Sequence, residues 1–267
     1  MIKSWWYKGD GNNFGDVLGP ILLYHMTSTS VTFSNDPNTL ATIGSIAYYS
    51  FRAPMVLWGS GAISEHVENP LVQKHKFLAV RGPKTRQKIL ATGGSCPEVY
   101  GDPALLLPTI FSKDRFEISQ RSKVSFLPHW IDYNLASKMR SVKSGEVNLI
   151  DIRGNVFDTI KQIVASDFII TSSLHGLIVA EAYDIPVVFA RFSNNVTGGY
   201  FKFEDYFNST NRDLNFLDHR GNLDDLLLDE CFKTYDQKEQ FSFNLAPLVE
   251  SFPFEITHKG ILALREG

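Results

Sequence analysis

The sequence is short of several things, and each shortage removes a class of protein. It has only two cysteines, Cys96 and Cys231, far apart along the chain. That number supports neither a disulfide framework nor a thiolate metal site, and fits two reduced thiols in a cytosolic protein. No pair of histidines or carboxylates stands at metal-ligand spacing, so no metal is expected. Charge of one sign is not in excess: the formal net charge is −3 over 267 residues. A balance so near zero argues against a nucleic-acid partner, and means that an anionic substrate must be met by a local cluster of cations. The longest apolar runs are short or broken by polar residues, so no membrane span is expected. The opening MIKSWWYKGDGNNFGD has no apolar stretch of the kind a secretory signal needs. Dinucleotide and phosphate-loop glycine fingerprints are missing, as is any G-x-S-x-G elbow. There is no internal repeat and no low-complexity tract.

What is present is a globular composition, 43% hydrophobic and 13% aromatic, with rings enough for a core and for stacking on sugars. Short β-branched runs alternate with amphipathic stretches, the pattern of a mostly parallel sheet covered by helices. Strands are expected at 4–8, 31–33, 55–58, 77–80 and 98–100. Helices are expected at 16–26, with Pro20 in or near the first turn, and from Pro83 to about residue 91, with proline at the first helical position. Between about 108 and 122 apolar order is lost, and the domain boundary is placed there. A second series follows, with strands at 123–127, 148–151, 167–171 and 186–190. Its helices are expected at 133–140, 156–165 and 174–183, and a further helix over the segment LDDLLLDECFKTYDQ. The expectation is an α/β chain of two Rossmann-like domains facing a cleft. Residues 1–115 form the first, 116–215 the second, and 216–267 a tail that packs back on the first. In such sheets ligands sit beyond the carboxyl ends of the strands, so the residues there are the candidates.

The sharpest of these segments is ITSSLHGLIVAEAYDIPVV, residues 170–188. Ser172, Ser173, Leu174 and His175 occupy a strand-to-helix turn whose amides suit a phosphate or carboxylate. His175 can give or take a proton near neutral pH, and Gly176 lets the backbone pass closely. The same residues also suit a plain helix cap and a core histidine. The N-terminal GDGNNFGDVLGP places Asn13 and Asp16 in a strand-to-helix loop, where a carboxylate can serve as a base or merely cap the helix. Gly59, Ser60 and Gly61 follow a buried strand and suit either a phosphate cradle or a tight turn. Arg81 ends the next strand and offers a bidentate grip on an anion, or a salt bridge. GDPALLLP, residues 101–108, reads as structural. His129 and Trp130 suit a sugar contact or core packing. Lys202 and Asp205 read as a charged pair near aromatics, or as a solvated loop.

Taken in order, NFGDVLGP, WGSGAIS, VRGPKTRQKIL, YGDPALLLP, LPHW, SSLHGLIVAEAYDIP and KFEDY resemble the polysaccharide pyruvyl transferase family. SSLHG with KFEDY most resembles its exopolysaccharide branch. The resemblance runs from the N-terminus to about residue 208. It implies a glycosyltransferase-B-like fold, phosphoenolpyruvate as the donor substrate with no cofactor, and a saccharide acceptor, polymeric or lipid-linked. It also implies a cytoplasmic protein, touching the inner membrane face if its acceptor is lipid-linked. His175 is marked as the key histidine, with Ser173 and Leu174 lining the donor site and Arg81 binding an anion. Many members carry arginine just before the Leu-His-Gly, and here Ser173 stands there. Lys202, Arg86 and Arg191 are the candidates to replace that cation. His175 is assigned as general acid and Asp16 as base. Two other classes fit the same residues: a nucleotide-sugar glycosyltransferase, and a carbohydrate-binding scaffold without turnover.

Overall fold

A computed structural model describes residues 1–9, 14–219, 228–236 and 241–265. Its strands form two parallel sheets of five. The first contains β1 (Ile2–Trp5), β2 (Val31–Phe33), β3 (Leu40–Ala41), β4 (Val56–Ser60) and β5 (Lys76–Val80), in the order β2-β1-β3-β4-β5. The second contains β6 (Ser125–Leu127), β7 (Asn148–Leu149), β8 (Ile169–Thr171), β9 (Val187–Arg191) and β10 (Leu217–Asp218), in the order β10-β9-β8-β6-β7. Counted within each sheet, both follow the same order, 2-1-3-4-5. In that order the chain leaves the first strand in one direction and returns on its other side, opening a crevice between strands 1 and 3.

Helix α1 (Phe14–Thr27) follows β1, and α2 (Pro83–Ala91) follows β5. Gly82 is extended, and Pro83 takes the first helical position, where its missing N–H has no partner to lose. A 3-10 turn at Pro103–Leu106 runs into the short α3 (Leu107–Ile110). The second sheet is served by α4 (Tyr133–Ala136), α5 (Arg140–Lys143), α6 (Val156–Val164), α7 (Leu174–Ala182) and α8 (Phe201–Ser209). Asn155 caps α6, its side-chain oxygen accepting from the amides of Phe157 and Asp158. The remaining helices are α9 (Leu228–Asp236), α10 (Ala246–Glu250) and α11 (Lys259–Ala263).

One apolar core joins the two halves. Leu18 and Leu22 of α1, Leu105 to Leu107, and Leu177 and Ile178 of α7 belong to the same buried cluster. The far face of each sheet has its own core, around Leu57, Phe77 and Ile89 in the first and Phe126, Ile170 and Val188 in the second. The last described stretch returns to the first half. Trp58 Nε1 donates to the Leu248 carbonyl at 2.9 Å, and the amide of Thr257 donates to Met26.

Several elements differ from expectation. β1 begins two residues early and ends at Trp5, because residues 6–8 already leave the sheet. α1 starts at Phe14, which puts Pro20 inside the helix rather than near its first turn. Residues 98–100 make only an isolated bridge, between Tyr100 and Val80. The helix expected over 133–140 is two short pieces, α4 and α5. β3 and β10 were not foreseen. Of the expected tail helix, residues 223–227 and 237 lie outside the described residues.

Candidate active site at the switch points of the two sheets

A pocket of about 300 Å³ lies where the carboxyl ends of the two sheets meet. Most of its lining comes from the loops that leave strands 1 and 3 of each sheet, joined by Ile63 after β4 and Thr197 after β9. The first half contributes Asp16, Ser45 and Ile46, and the second His129, Ser173 and His175. Lys202, at the start of α8, closes one side. Both crevices of the 2-1-3-4-5 order therefore open into one space.

His175 sits in the first turn of α7. Its Nε2 faces Asp102 Oδ2 at 3.4 Å, an ion-pair contact; both atoms are sealed from solvent, and among the described residues neither has a hydrogen-bond partner. Asp102 is held in turn, since its Oδ1 accepts from the amide of Ala104 at 3.0 Å. The other ring nitrogen, Nδ1, lies against Gly15 at the head of α1, and a Cβ on Gly15 would collide with it. The imidazole is thus clamped between a carboxylate and a glycine. Asp102 belongs to the segment read as structural. It was missed because it follows a single bridge rather than a strand, so the strand-end rule did not reach it.

Ser173 caps α7, its hydroxyl accepting from the Gly176 amide at 3.3 Å, while the Ser173 amide donates to Thr171 Oγ1 at 3.0 Å. The amides of Leu174 and His175 stay at the head of the helix, where no intrahelical acceptor exists for them. Leu174 lines the pocket. Gly176 does not; it brings α7 close to Leu127 and Thr171. Ser172 turns the other way, donating to Asp132 Oδ2 at 3.0 Å and accepting from the His129 amide at 2.9 Å. It lines a neighbouring pocket of about 350 Å³ together with Arg191.

Lys202 is 6% exposed, and among the described residues no hydrogen bond or ion pair meets its ammonium. Burial, with the nearby charge of Arg81, brings its pKa down from 10.5 to about 8. His129 shares the pocket, and burial, reinforced by the charge of Lys202 and then His175, pushes its pKa down to about 3. His129 is therefore a neutral imidazole at physiological pH. Its Nδ1 accepts from the Ile131 amide at 3.3 Å, and Trp130 stands 45% exposed at the rim. Asp16 is 7% exposed and lies in the first turn of α1, facing the same space.

Other candidates stand behind the pocket wall. Arg81 is fully buried rather than presented to a ligand: it pairs with Asp205 at 3.1 Å and donates to Ser45 Oγ and the Ala62 carbonyl. Asp205 also accepts from the Thr85 amide and hydroxyl, at 2.8 and 2.7 Å. The charged partner of Asp205 is thus Arg81, not Lys202. Gly59, Ser60 and Gly61 form no open cradle. Gly59 has φ +80° and packs on Pro103, Ser60 is fully buried, and the Gly61 amide donates to Gly44. Arg86 lies by Cys96 and Glu98, away from the pocket. Arg191 is held by Tyr200 and Asn194 in the neighbouring pocket. Asn13 lies outside the described residues. No group of three or more histidine, cysteine or acidic side chains that could hold a metal occurs among the described residues. No helix among them is long and apolar enough to cross a membrane.

Two parallel sheets thus share one pocket lined by a clamped histidine, a lysine ammonium and a carboxylate. The profile of the polysaccharide pyruvyl transferase family matches residues 36–193, more than half of the chain. The chain belongs to that family. It is 30% identical over 131 residues to the succinoglycan biosynthesis protein ExoV of Rhizobium meliloti (strain 1021), covering 48% of this chain and 38% of the relative. It is 31% identical over 169 residues to the uncharacterized protein L143 of Acanthamoeba polyphaga mimivirus, covering 61% of this chain and 57% of the relative. The chain thus spans little more than half of one relative and less of the other. No solved structure matches it.

Proposed function

We propose that the chain transfers the enolpyruvyl unit of phosphoenolpyruvate to a saccharide in exopolysaccharide biosynthesis, forming a pyruvate ketal and releasing phosphate. The observation that carries this reading is Lys202. A buried ammonium without an ion-pair partner among the described residues is costly to maintain, and an anionic donor would compensate it. It also supplies a cation where Ser173 replaces arginine, whereas Arg86 and Arg191 do not line this pocket. The amides of Leu174 and His175, at the positive end of α7, would share the donor's charge.

Ketal formation needs a proton on the methylene carbon of the donor, which leaves C2 electrophilic. A sugar hydroxyl then bonds to C2 and gives up its proton. Phosphate leaves, a second hydroxyl of the same sugar bonds to C2, and its proton leaves with the phosphate. His175 is the acid in this scheme. Its Nε2 faces Asp102 and is sealed from solvent, so Nδ1, beside Gly15, delivers the proton. Asp102 acts as a positioning residue that fixes the ring. Asp16 is the base for the attacking hydroxyl. Neutral His129 and Trp130, which line the same pocket, would contact the acceptor. Arg81 and Asp205 act through packing, tying α8 and hence Lys202 to the first half.

The reading keeps two Rossmann-like domains in a glycosyltransferase-B-like arrangement, 1–115 and 116–215, with 216–267 packing on the first. Its support is the repeated 2-1-3-4-5 order and the pocket shared by both sheets. The acceptor is a saccharide chain, free or lipid-linked at a cytoplasmic membrane face. Incubation with phosphoenolpyruvate and saccharide acceptors should yield a pyruvylated product by mass, and His175→Ala should abolish it. Tight binding of a nucleotide sugar with none of phosphoenolpyruvate would overturn the reading.

A further inference from the structure

Tyr7 and Tyr49 have two sides. On one they line the candidate active site, and on the other they line a second pocket, also of about 300 Å³. The chain leaving β1 builds it. Trp5 is buried beneath Phe33 and Tyr49, and Trp6, just beyond the strand, meets Phe33 edge-on with centroids 5.1 Å apart. Tyr7 and Tyr49 meet edge-on at 6.0 Å and stand 45% and 39% exposed. The result is a set of ring facets leading to the mouth of the active site, where exposed Trp130 continues it. Lys8 holds its ammonium 3.8 Å from the centroid of Phe33, and Arg52 stands at the edge. Neither cation forms an ion pair among the described residues. Asn35 and Ser50 add polar rim groups.

Aromatic facets suit the C–H faces of sugar rings, and a polar rim suits their hydroxyls. The two cations suit acidic substituents on such a chain. Continuity with the active site decides between a substrate and a separate partner. The Tyr7–Tyr49 pair is the wall shared with the space that holds Asp16 and His175, so a chain lying in the groove reaches that space by crossing the exposed edges of these two rings. We propose that the groove formed by Trp6, Tyr7, Phe33 and Tyr49 is an acceptor subsite, holding the saccharide chain that adjoins the sugar to be modified. The proposal rests on the transferase reading, and makes the enzyme selective for a chain over a free monosaccharide.

The test uses the full chain and a ladder of gluco- and galacto-oligosaccharides, neutral and succinylated, from mono- to hexasaccharide. Binding is followed without donor by tryptophan fluorescence and calorimetry. Affinity should rise with chain length. Trp6→Ala should lower affinity for the longer chains by about tenfold, the worth of one lost stacking contact, and leave monosaccharide binding and phosphoenolpyruvate affinity unchanged. Lys8→Ala combined with Arg52→Ala leaves the rings in place, and should remove the preference for succinylated chains. Unchanged ladders in both variants, or equal losses at every length, would overturn the proposal. So would a dimer that Trp6→Ala converts to monomer, since the facets would then serve a second copy. Length-dependent binding without phosphate release would keep the groove and refute the transferase. Phosphate release indifferent to chain length and to these variants would do the reverse.

Discussion

Replacing Lys202 by methionine separates stability from function. In the folded protein its pKa falls from 10.5 to about 8, chiefly through burial, and such a drop corresponds to about 3 kcal/mol against the charged form. Below pH 8 the folded chain carries that cost in full. Between pH 8 and 10.5 the unfolded chain binds the extra proton, so wild-type stability rises with pH, and the penalty is gone above 10.5. Methionine fills similar volume without charge. Lys202→Met should therefore be more stable than wild type by up to about 3 kcal/mol at pH 7, with the advantage vanishing by about pH 10.5. The same variant should bind phosphoenolpyruvate about 10–100-fold more weakly, the usual worth of a charge-assisted hydrogen bond. Urea unfolding at pH 7 and at pH 10, with calorimetric titration of the donor, measures both. A variant less stable at pH 7, or one that binds the donor normally, would refute the idea that Lys202 is kept for an anion.

The pH dependence of donor binding follows from the same group: in the wild type kcat/KM for phosphoenolpyruvate should fall as pH rises through about 8, and Lys202→Arg should move that fall upward. His175→Ala should lower turnover by about 10²–10⁴-fold with the fold intact by circular dichroism. Asp102→Asn should lower kcat with little change in donor KM, because it disturbs the ring and not the anion site. Equal effects on both would make Asp102 merely structural. Gly15→Ala should lose activity as His175 does, since the new methyl would occupy the space of Nδ1. Glu181 pairs with Arg212 at 2.9 Å and accepts from Tyr206 at 2.6 Å inside the core. Glu181→Ala should therefore destabilise by about 3–5 kcal/mol in thermal or urea unfolding.

Local signals in the sequence carried much of this arrangement, and long-range pairings carried the rest. Helix α2 was legible because Pro83 marks its start and the chain turns at Thr92 and Gly93. Strands β8 and β9 were legible as β-branched runs on either side of an apolar helix. Strands β3 and β10 were not, since two residues make no period and exist only through their neighbours. At the site, the turn after β8 announced Ser173, Leu174 and His175. The partners were hidden by distance: Arg81 meets Asp205 across more than a hundred residues, and nothing local distinguishes a guanidinium aimed at a ligand from one sealed in a core. The same holds for Asp102, whose carboxylate gains its meaning only where α7 brings His175 beside it. Spacing suggested that Lys202 and Asp205 belong together, but Asp205 is taken by Arg81 from the first half while Lys202 lines the pocket.

The most direct test of the account is phosphate release from phosphoenolpyruvate by the purified chain, with and without a saccharide acceptor and with mass analysis of the product. The account predicts release that depends on the acceptor, a product heavier by one pyruvate ketal, and loss of both in His175→Ala. Equal release and product from His175→Ala would contradict the central role given to that histidine.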